Sequence, residues 1–345
     1  MNPVQQKVSC VYVTAVTEET SSKRKYQPFK VSATRQLTEK AQTDAVTSAK
    51  VTEKLDGTCC LIAEFKGQPW LWARHDRKPS KLGTRRFGQF KKSQQKLKDK
   101  EELLAAEFSW DPSKDFKDVP EFWVPASRLQ IINGIAMPDS IGHTPGWVPV
   151  DVTSRHDCWH LSAVDLTLGL ALVLREAETG NDDLIIESQP LSFLCGQTCE
   201  LIGTNVNANP YHIGSKKCPI HILVPHGGLA LSCPTPVDYD ALYNWFDSPS
   251  GDGQIEGVVW HCSNGELHKL HRHHLNLPWP VPEPRLCHRR VKVQVEPISA
   301  GVDRESKKKG HNYNLFSLLC SLNGQTFDSI QDLHKDFEIE SEAAS

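Results

Sequence analysis

Three short stretches of the chain carry residue types that could do chemistry together. The first is Lys54-Leu55-Asp56-Gly57, which continues from Val51-Thr52-Glu53. A lysine at the end of a strand, followed by an Asp-Gly corner, presents its amine at the mouth of a sheet. The amine is a nucleophile only without its proton. Its ordinary pKa is about 10.4, so a reactive lysine needs burial or nearby cations to lower it. Cys59, Cys60 and Leu61 are the apolar neighbours that could bury it. Gly57 lacks a Cβ, which lets backbone approach a phosphate or sugar closely. The plain alternative is an Asp-Gly turn beside a solvated lysine.

The second stretch is Ile255-Glu256-Gly257-Val258-Val259-Trp260, where one acid enters an apolar strand. Such a carboxylate needs a metal or a cation as partner, or else sits at the exposed start of the strand. The third is Lys269-Leu270-His271-Arg272-His273-His274. On a strand, Lys269 and His271 share a face, and two cations on one face make a phosphate clamp. His268, His271, His273 and His274 lack the cysteines and spacing of a structural zinc site.

These residues must be held by sheets. Val8 to Val16 reads as a strand, and Thr17 to Ala49 as a polar loop with a short helix near Thr38 to Ala45. Val51 to Lys54, Cys59 to Phe65 and Trp70 to Arg74 read as a strand, the Asp-Gly corner and a hairpin. Arg77 to Lys100 is rich in Lys, Arg and Gln and predicts a helix running on through Glu107. Its basic part, Arg85 to Lys100, could track an RNA backbone or be a solvated face. Trp110 to Val150 predicts irregular structure with short strands, and Trp159 to Arg175 a buried strand. Ile185 to Leu201 and His221 to Pro225 add further strands. Asp238 to Phe246 predicts a helix. Gln254 to His261 and Glu266 to His271 predict a hairpin around Ser263-Asn264-Gly265. Prolines then accumulate, and an acidic tail runs from Asp336 to Glu342. Hairpins with few helices predict an α+β protein of antiparallel sheets with flanking helices.

Composition sets bounds. In 345 residues, 39% are hydrophobic and 23% charged, enough for a real core. A net charge of −3 argues against nucleic-acid binding by bulk charge, so any such contact is local. Eleven scattered cysteines fit free thiols in a reducing compartment. The sequence shows no signal peptide or membrane-spanning run, and predicts a soluble intracellular monomer of cytoplasm or nucleus.

In order and type, the three stretches resemble motifs I, IV and V of the covalent nucleotidyltransferase superfamily: DNA ligases, RNA ligases and mRNA capping enzymes. The chain is most similar to the vertebrate ATP-dependent RNA ligases that join a 5′-phosphate to a 3′-hydroxyl, over roughly Val8 to Pro282. The resemblance implies the nucleotidyltransferase (ATP-grasp-like ligase adenylation) fold, with ATP and Mg2+ or Mn2+ as cofactors and RNA as partner. It implies that Lys54 carries AMP, that Asp56 and Gly57 help bind ATP, and that Arg74 contacts phosphate. Glu200 would serve the ribose, Glu256 would hold metal or orient the lysine, and Lys269 would meet the ATP phosphates. His221 and His226 are the candidates for stacking on adenine. The family often has a second motif V lysine; His271 stands there, with Arg272 as a candidate replacement in a phosphate clamp.

An OB-fold follows motif V in capping enzymes and DNA ligases, but only about seventy residues follow His274, proline-rich and then acidic. Cys59 also replaces the arginine that DNA ligases carry after the motif I glycine. Both features favour RNA joining. The expected plan is an adenylyltransferase domain over 1–285, with an insertion near 77–155, and a C-terminal extension over 286–345. The alternatives are a non-catalytic RNA-binding protein on the same fold and a GTP-using capping-type enzyme.

Overall fold

The computed structural model describes residues 3–19, 29–99, 108–139, 142–178, 182–231, 237–249, 251–296 and 315–335. The acidic tail, Lys307 to Lys309 and the expected helix end at 100–107 lie outside them. β-Branched and aromatic residues with alternating burial make this chain mostly sheet. Strands β1 (Ser9–Cys10), β2 (Tyr12–Thr17) and β3 (Lys30–Leu37) precede helix α1 (Glu39–Thr43). Strands β4 (Lys50–Lys54), β5 (Thr58–Phe65) and β6 (Gln68–Arg74) lead to helix α2 (Lys81–Asp99). Short strands β7 (Val124–Pro125), β8 (Ile131–Ile132), β9 (Ile135–Ala136) and β10 (Gly146–Pro149) come next. After α3 (Cys158–Ser162) lie β11 (Val164–Asp165), β12 (Leu170–Glu176), β13 (Leu184–Pro190), β14 (Thr198–Gly203) and β15 (His221–Pro225). Helix α4 (Tyr239–Asp247), β16 (Gly257–His261), β17 (Leu267–His271), β18 (Val291–Gln294), α5 (Leu315–Ser321) and β19 (Thr326–Phe327) complete the order.

The chain divides into two units, one of Met1–Val4, Val8–Leu71 and Val150–Ser345, the other of Gln5–Lys7 and Trp72–Pro149. The first unit holds the β2–β3 ribbon and two larger sheets. The smaller has the order β1-β17-β16-β4, and the larger runs β19-β18-β13-β12-β15-β14-β5-β6. Val258, Trp260 and Leu270 put one face of the smaller sheet into a core with Tyr12, Leu242 and Phe246. Leu242 and Phe246 are four apart on α4, whose first turn is capped by Asp238 accepting from the Ala241 N–H at 2.9 Å. The larger sheet has its own core around Leu172, Ile186, Ile202, Ile222 and Val224. The 286–335 region, set apart in the sequence reading, builds into that core through Leu286, Val291, Val293, Phe316 and Leu319. Strand β18 pairs parallel with β13.

Two expectations need correction. Part of the supposed loop from Thr17 to Ala49 is β3, which pairs antiparallel with β2. Its sequence hides the strand because most of the ribbon is exposed or half-buried, with only Ala33 and Tyr12 fully buried, so it needs few apolar residues. The buried strand expected from Trp159 begins only at Val164. Trp159 lies in α3 and stacks on His221, ring centroids 5.4 Å apart.

In the second unit, β10 pairs with Trp72–Arg74 and with β7. The rings of Phe87, Phe90, Phe108, Trp110 and Phe116 form a chain of contacts 4.6–5.3 Å apart. Arg86, counted among the basic residues of α2, ion-pairs with fully buried Asp115 and lies over Phe108. Its charge is therefore spent inside the unit. Among the described residues no helix is long and apolar enough to cross a membrane.

His221 should make the fold acid-sensitive. It is 1% exposed, with its ring nitrogens on Ser162 Oγ at 2.6 Å and the Thr204 carbonyl at 2.7 Å. Burial pushes its pKa down to about 4. The unfolded chain takes up a proton near the usual value of about 6.5, whereas the folded chain refuses it until about 4. Stability is therefore present above that window and lost as pH falls through it. Urea unfolding at pH 7 and pH 5 should show a loss of roughly 2 kcal/mol from this residue, absent in His221→Gln.

Candidate active site

Register assembles the site in the first unit. In the smaller sheet, Lys54, Gly257 and His271 form one cross-strand row, and Thr52, Val259 and Lys269 form the row two residues away. Side chains two apart share a face, so Lys54, Lys269 and His271 stand on one side. The opposite side is the apolar one that carries Val258 and Trp260.

The Lys54 ammonium donates to Glu256 Oε2 at 2.5 Å and to the Leu55 carbonyl at 3.1 Å. The other Glu256 oxygen faces His271 Nδ1 at 3.1 Å. Lys54 keeps 23% of its side-chain exposure, whereas Glu256 beneath it keeps only 2%. Burial works against the Lys54 charge, but Glu256, Glu200 and Asp56 outweigh it, and the pKa is raised. This corrects the expected lowering by burial: the carboxylates dominate, and two of them, Glu256 and Glu200, are remote from Lys54 in the sequence. Burial pushes the His271 pKa well below normal despite Glu256, so the ring is neutral.

The corner after Lys54 carries the chain from one sheet to the other. Leu55 is buried in the core of the larger sheet. The Asp56 N–H donates to Tyr211 Oη at 2.8 Å. The Asp56 carboxylate accepts from Asn207 Nδ2 and from Trp279 Nε1, both at 2.8 Å. The Gly57 N–H donates to Glu200 Oε1 at 3.0 Å, and its carbonyl accepts from Asn207 Nδ2 at 2.7 Å. A Cβ on Gly57 would lie 2.3 Å from the Leu201 carbonyl oxygen. The glycine is thus required by the neighbouring strand, where the sequence suggested room for a ligand.

Glu200 and Cys59 are cross-strand partners on β14 and β5. His226, just beyond β15, places Nε2 2.9 Å from Glu200 Oε2 and Nδ1 2.9 Å from Thr198 Oγ1. His226 therefore joins this site, whereas His221 does not. His221 points to the opposite face of β15, and its ring lies against Trp159.

One other expectation changes. The guanidinium of Arg272 is 3% exposed and donates to the carbonyls of Phe246, Gly253 and Pro278. It ties together backbone, and His271 is neutral, so neither forms a cationic phosphate clamp in this structure. Arg74 lies at the second-unit end of β6. It donates to Asp76 Oδ1 at 2.7 Å and to the Gln5 carbonyl at 2.8 Å, and covers Trp147 at 4.9 Å.

The comparisons with known proteins decide the family. The family model described as RNA ligase 1 matches residues 1–336. The chain belongs to the RNA ligase 1 family. It is 45% identical to the RNA ligase 1 of Danio rerio over 333 residues, covering 96% of this chain and 98% of that protein. It is 44% identical to the Rattus norvegicus protein of the same name, over 97% of this chain and 99% of the relative.

Tyr211, Asn207 and Trp279 are the parts of this family member's site that sequence reasoning missed. The only signal was the Asn- and Gly-rich run after Glu200, with left-handed backbone at Asn205, Asn207 and Asn209. Gly57→Ala should force β5 from β14, destabilise the protein by roughly 1–3 kcal/mol and misplace Lys54. The unfolding midpoint checks the first effect, and nucleotide labelling of the protein the second.

Proposed function

We propose that this protein is an ATP-dependent RNA ligase that works through a lysyl-AMP intermediate on Lys54. The observation that supports this most is the Lys54–Glu256 contact at 2.5 Å, on a lysine at the end of a strand. The antiparallel sheets fit the nucleotidyltransferase fold. In the proposed first step the Lys54 amine attacks the α-phosphorus of ATP. A P–N bond forms, the P–O bond to pyrophosphate breaks, and Glu256 is placed to take the proton the amine loses. Lys269, on the same face, is the cation for the phosphates. Glu200 orients the ribose while holding Gly57. AMP then passes to an RNA 5′-phosphate, and a 3′-hydroxyl displaces it to close the phosphodiester. Each step is an in-line displacement, so positioning and charge neutralisation carry the catalysis.

Magnesium or manganese, bound with the triphosphate, would supply further charge neutralisation. Glu256 would hold it through Oε2, the oxygen that Lys54 leaves when its amine turns to the α-phosphorus. His271, neutral and facing Glu256, orients that carboxylate in place of a second lysine.

Incubation of the full chain with α-labelled ATP and magnesium should leave an acid-labile label on the protein. Lys54→Ala should carry none. Labelling from GTP alone would turn the reading to a capping-type enzyme, and no label at all would leave the non-catalytic RNA-binding reading. Strands with a 5′-phosphate then test the substrate, with RNA expected to be joined and DNA not.

Because the carboxylates raise the Lys54 pKa, labelling should speed up as pH rises above neutrality. Glu256→Gln removes the contact that most favours the ammonium. Its rising limb should move to lower pH, even though its maximal rate is lower. An unmoved limb would assign that titration to another group.

A further inference from the structure

We propose that Cys59, Glu200 and His226 form a binding site for a borderline divalent cation, with zinc as the cation it fits. One ligand atom from each lies within 4.8 Å of the others, and among the described residues this is the one group of three such side chains. All three are half-buried, so a cation can enter.

The trio is a product of the sheet. Cys59 and Glu200 are direct cross-strand partners, Glu200 is also paired with Val224, and His226 stands two residues beyond Val224 on the same face. Strands β5 and β14 supply one donor each, and the residue just past the end of β15 supplies the third. The His226 N–H donates to the Thr198 carbonyl at 3.0 Å, which fixes the backbone.

The contact on the far side of the His226 ring is compatible with a ligand role. Thr198 Oγ1 faces His226 Nδ1 at 2.9 Å and accepts from the Val4 N–H at 2.7 Å. A hydroxyl can accept as readily as donate. Without a cation, Nε2 donates to Glu200 Oε2; with one in place the Nε2 lone pair would turn to the ion, and the hydroxyl would instead accept from Nδ1–H. This is the outer partner that metal-binding histidines ordinarily have. Ligand bonds of about 2.0–2.3 Å require the His226–Glu200 pair, at 2.9 Å, to open and the rest of the trio, now within 4.8 Å, to draw in around the ion. On binding, the Cys59 thiol gives its proton to solvent and the thiolate, imidazole and carboxylate coordinate, with water as the fourth ligand. A sulfur–nitrogen–oxygen set selects zinc or cobalt over magnesium, so this site differs in chemistry from one carboxylate serving a magnesium–nucleotide.

Glu200 cannot serve a cation and a ribose equally well. Zinc should therefore slow adenylylation; this consequence, unlike the binding itself, rests on the ligase reading above.

Cobalt(II), added to the nucleotide-free full chain with a phosphine reductant, reads the site directly. One equivalent should give a thiolate-to-cobalt charge-transfer band that zinc bleaches. Cys59→Ser should lose the band, and His226→Gln should bind at least about tenfold more weakly. No band in the wild type, or an unchanged band in Cys59→Ser, overturns the site. Should Cys59→Ser fail to fold by circular dichroism, unchanged affinity in His226→Gln overturns it equally. Zinc at one equivalent should then slow α-label incorporation at least about tenfold in the wild type and not in Cys59→Ser. Undiminished labelling with zinc bound overturns the competition. Absence of labelling in metal-free protein defeats the ligase reading instead, while the cobalt titration still decides the site.

Discussion

The Glu256 carboxylate is the constraint around which the rest is arranged. It is almost fully buried, and a buried charge is tolerable only with partners on its oxygens. Lys54 supplies one and His271 the other. These partners come from the two strands that flank β16, and pairing brings them there. The smaller sheet is therefore both scaffold and wiring: its register sets which side chains meet, and its apolar reverse face keeps the register fixed. A lysine held in this way rests as an ammonium, and its reactivity must be released by what arrives beside it.

The short path from Lys54 to Gly57 is the second constraint. Within three residues the chain leaves one sheet, drops Leu55 into the core of the next and enters β5. Such a passage leaves backbone groups without ladder partners, and side chains from distant stretches satisfy them. Tyr211, Asn207, Glu200 and Trp279 all serve residues 56 and 57. The lysine is thereby held at its base by groups more than a hundred positions away.

This division explains what could be read in advance. Strand and helix types near Lys54, Glu256, Lys269 and α4 were legible because each has a local signature: alternation, a turn triplet or a cap. Lys54, Glu200, Glu256 and Lys269 were picked out by their order in the chain, and the two sheets that meet at the corner carry them. Pairing between distant strands was not legible. It made His226 a partner of Glu200, sent His221 to the other face and left His271 uncharged. Arg272 looked like a free cation, yet three backbone carbonyls claim it. Arg86 looked like part of a basic stripe, yet Asp115 claims it. In both cases the deciding partner is remote in sequence.

Adjacent residues on β4 carry opposite charges to opposite faces. Glu53 is fully buried against Arg285, and Lys54 points toward Glu256. A slip of β4 by one position turns every side chain to the other face. Slipped one way, Glu53 would stand against Glu256 and Thr52 against Arg285; slipped the other way, Lys54 would stand against Arg285 and Leu55 against Glu256. Either slip sets one like-charge pair in a buried place and leaves the other buried charge without its partner on β4. The strand that carries the reactive amine thus has its own electrostatic proofreading, and alignment errors during folding are penalised before any nucleotide is present.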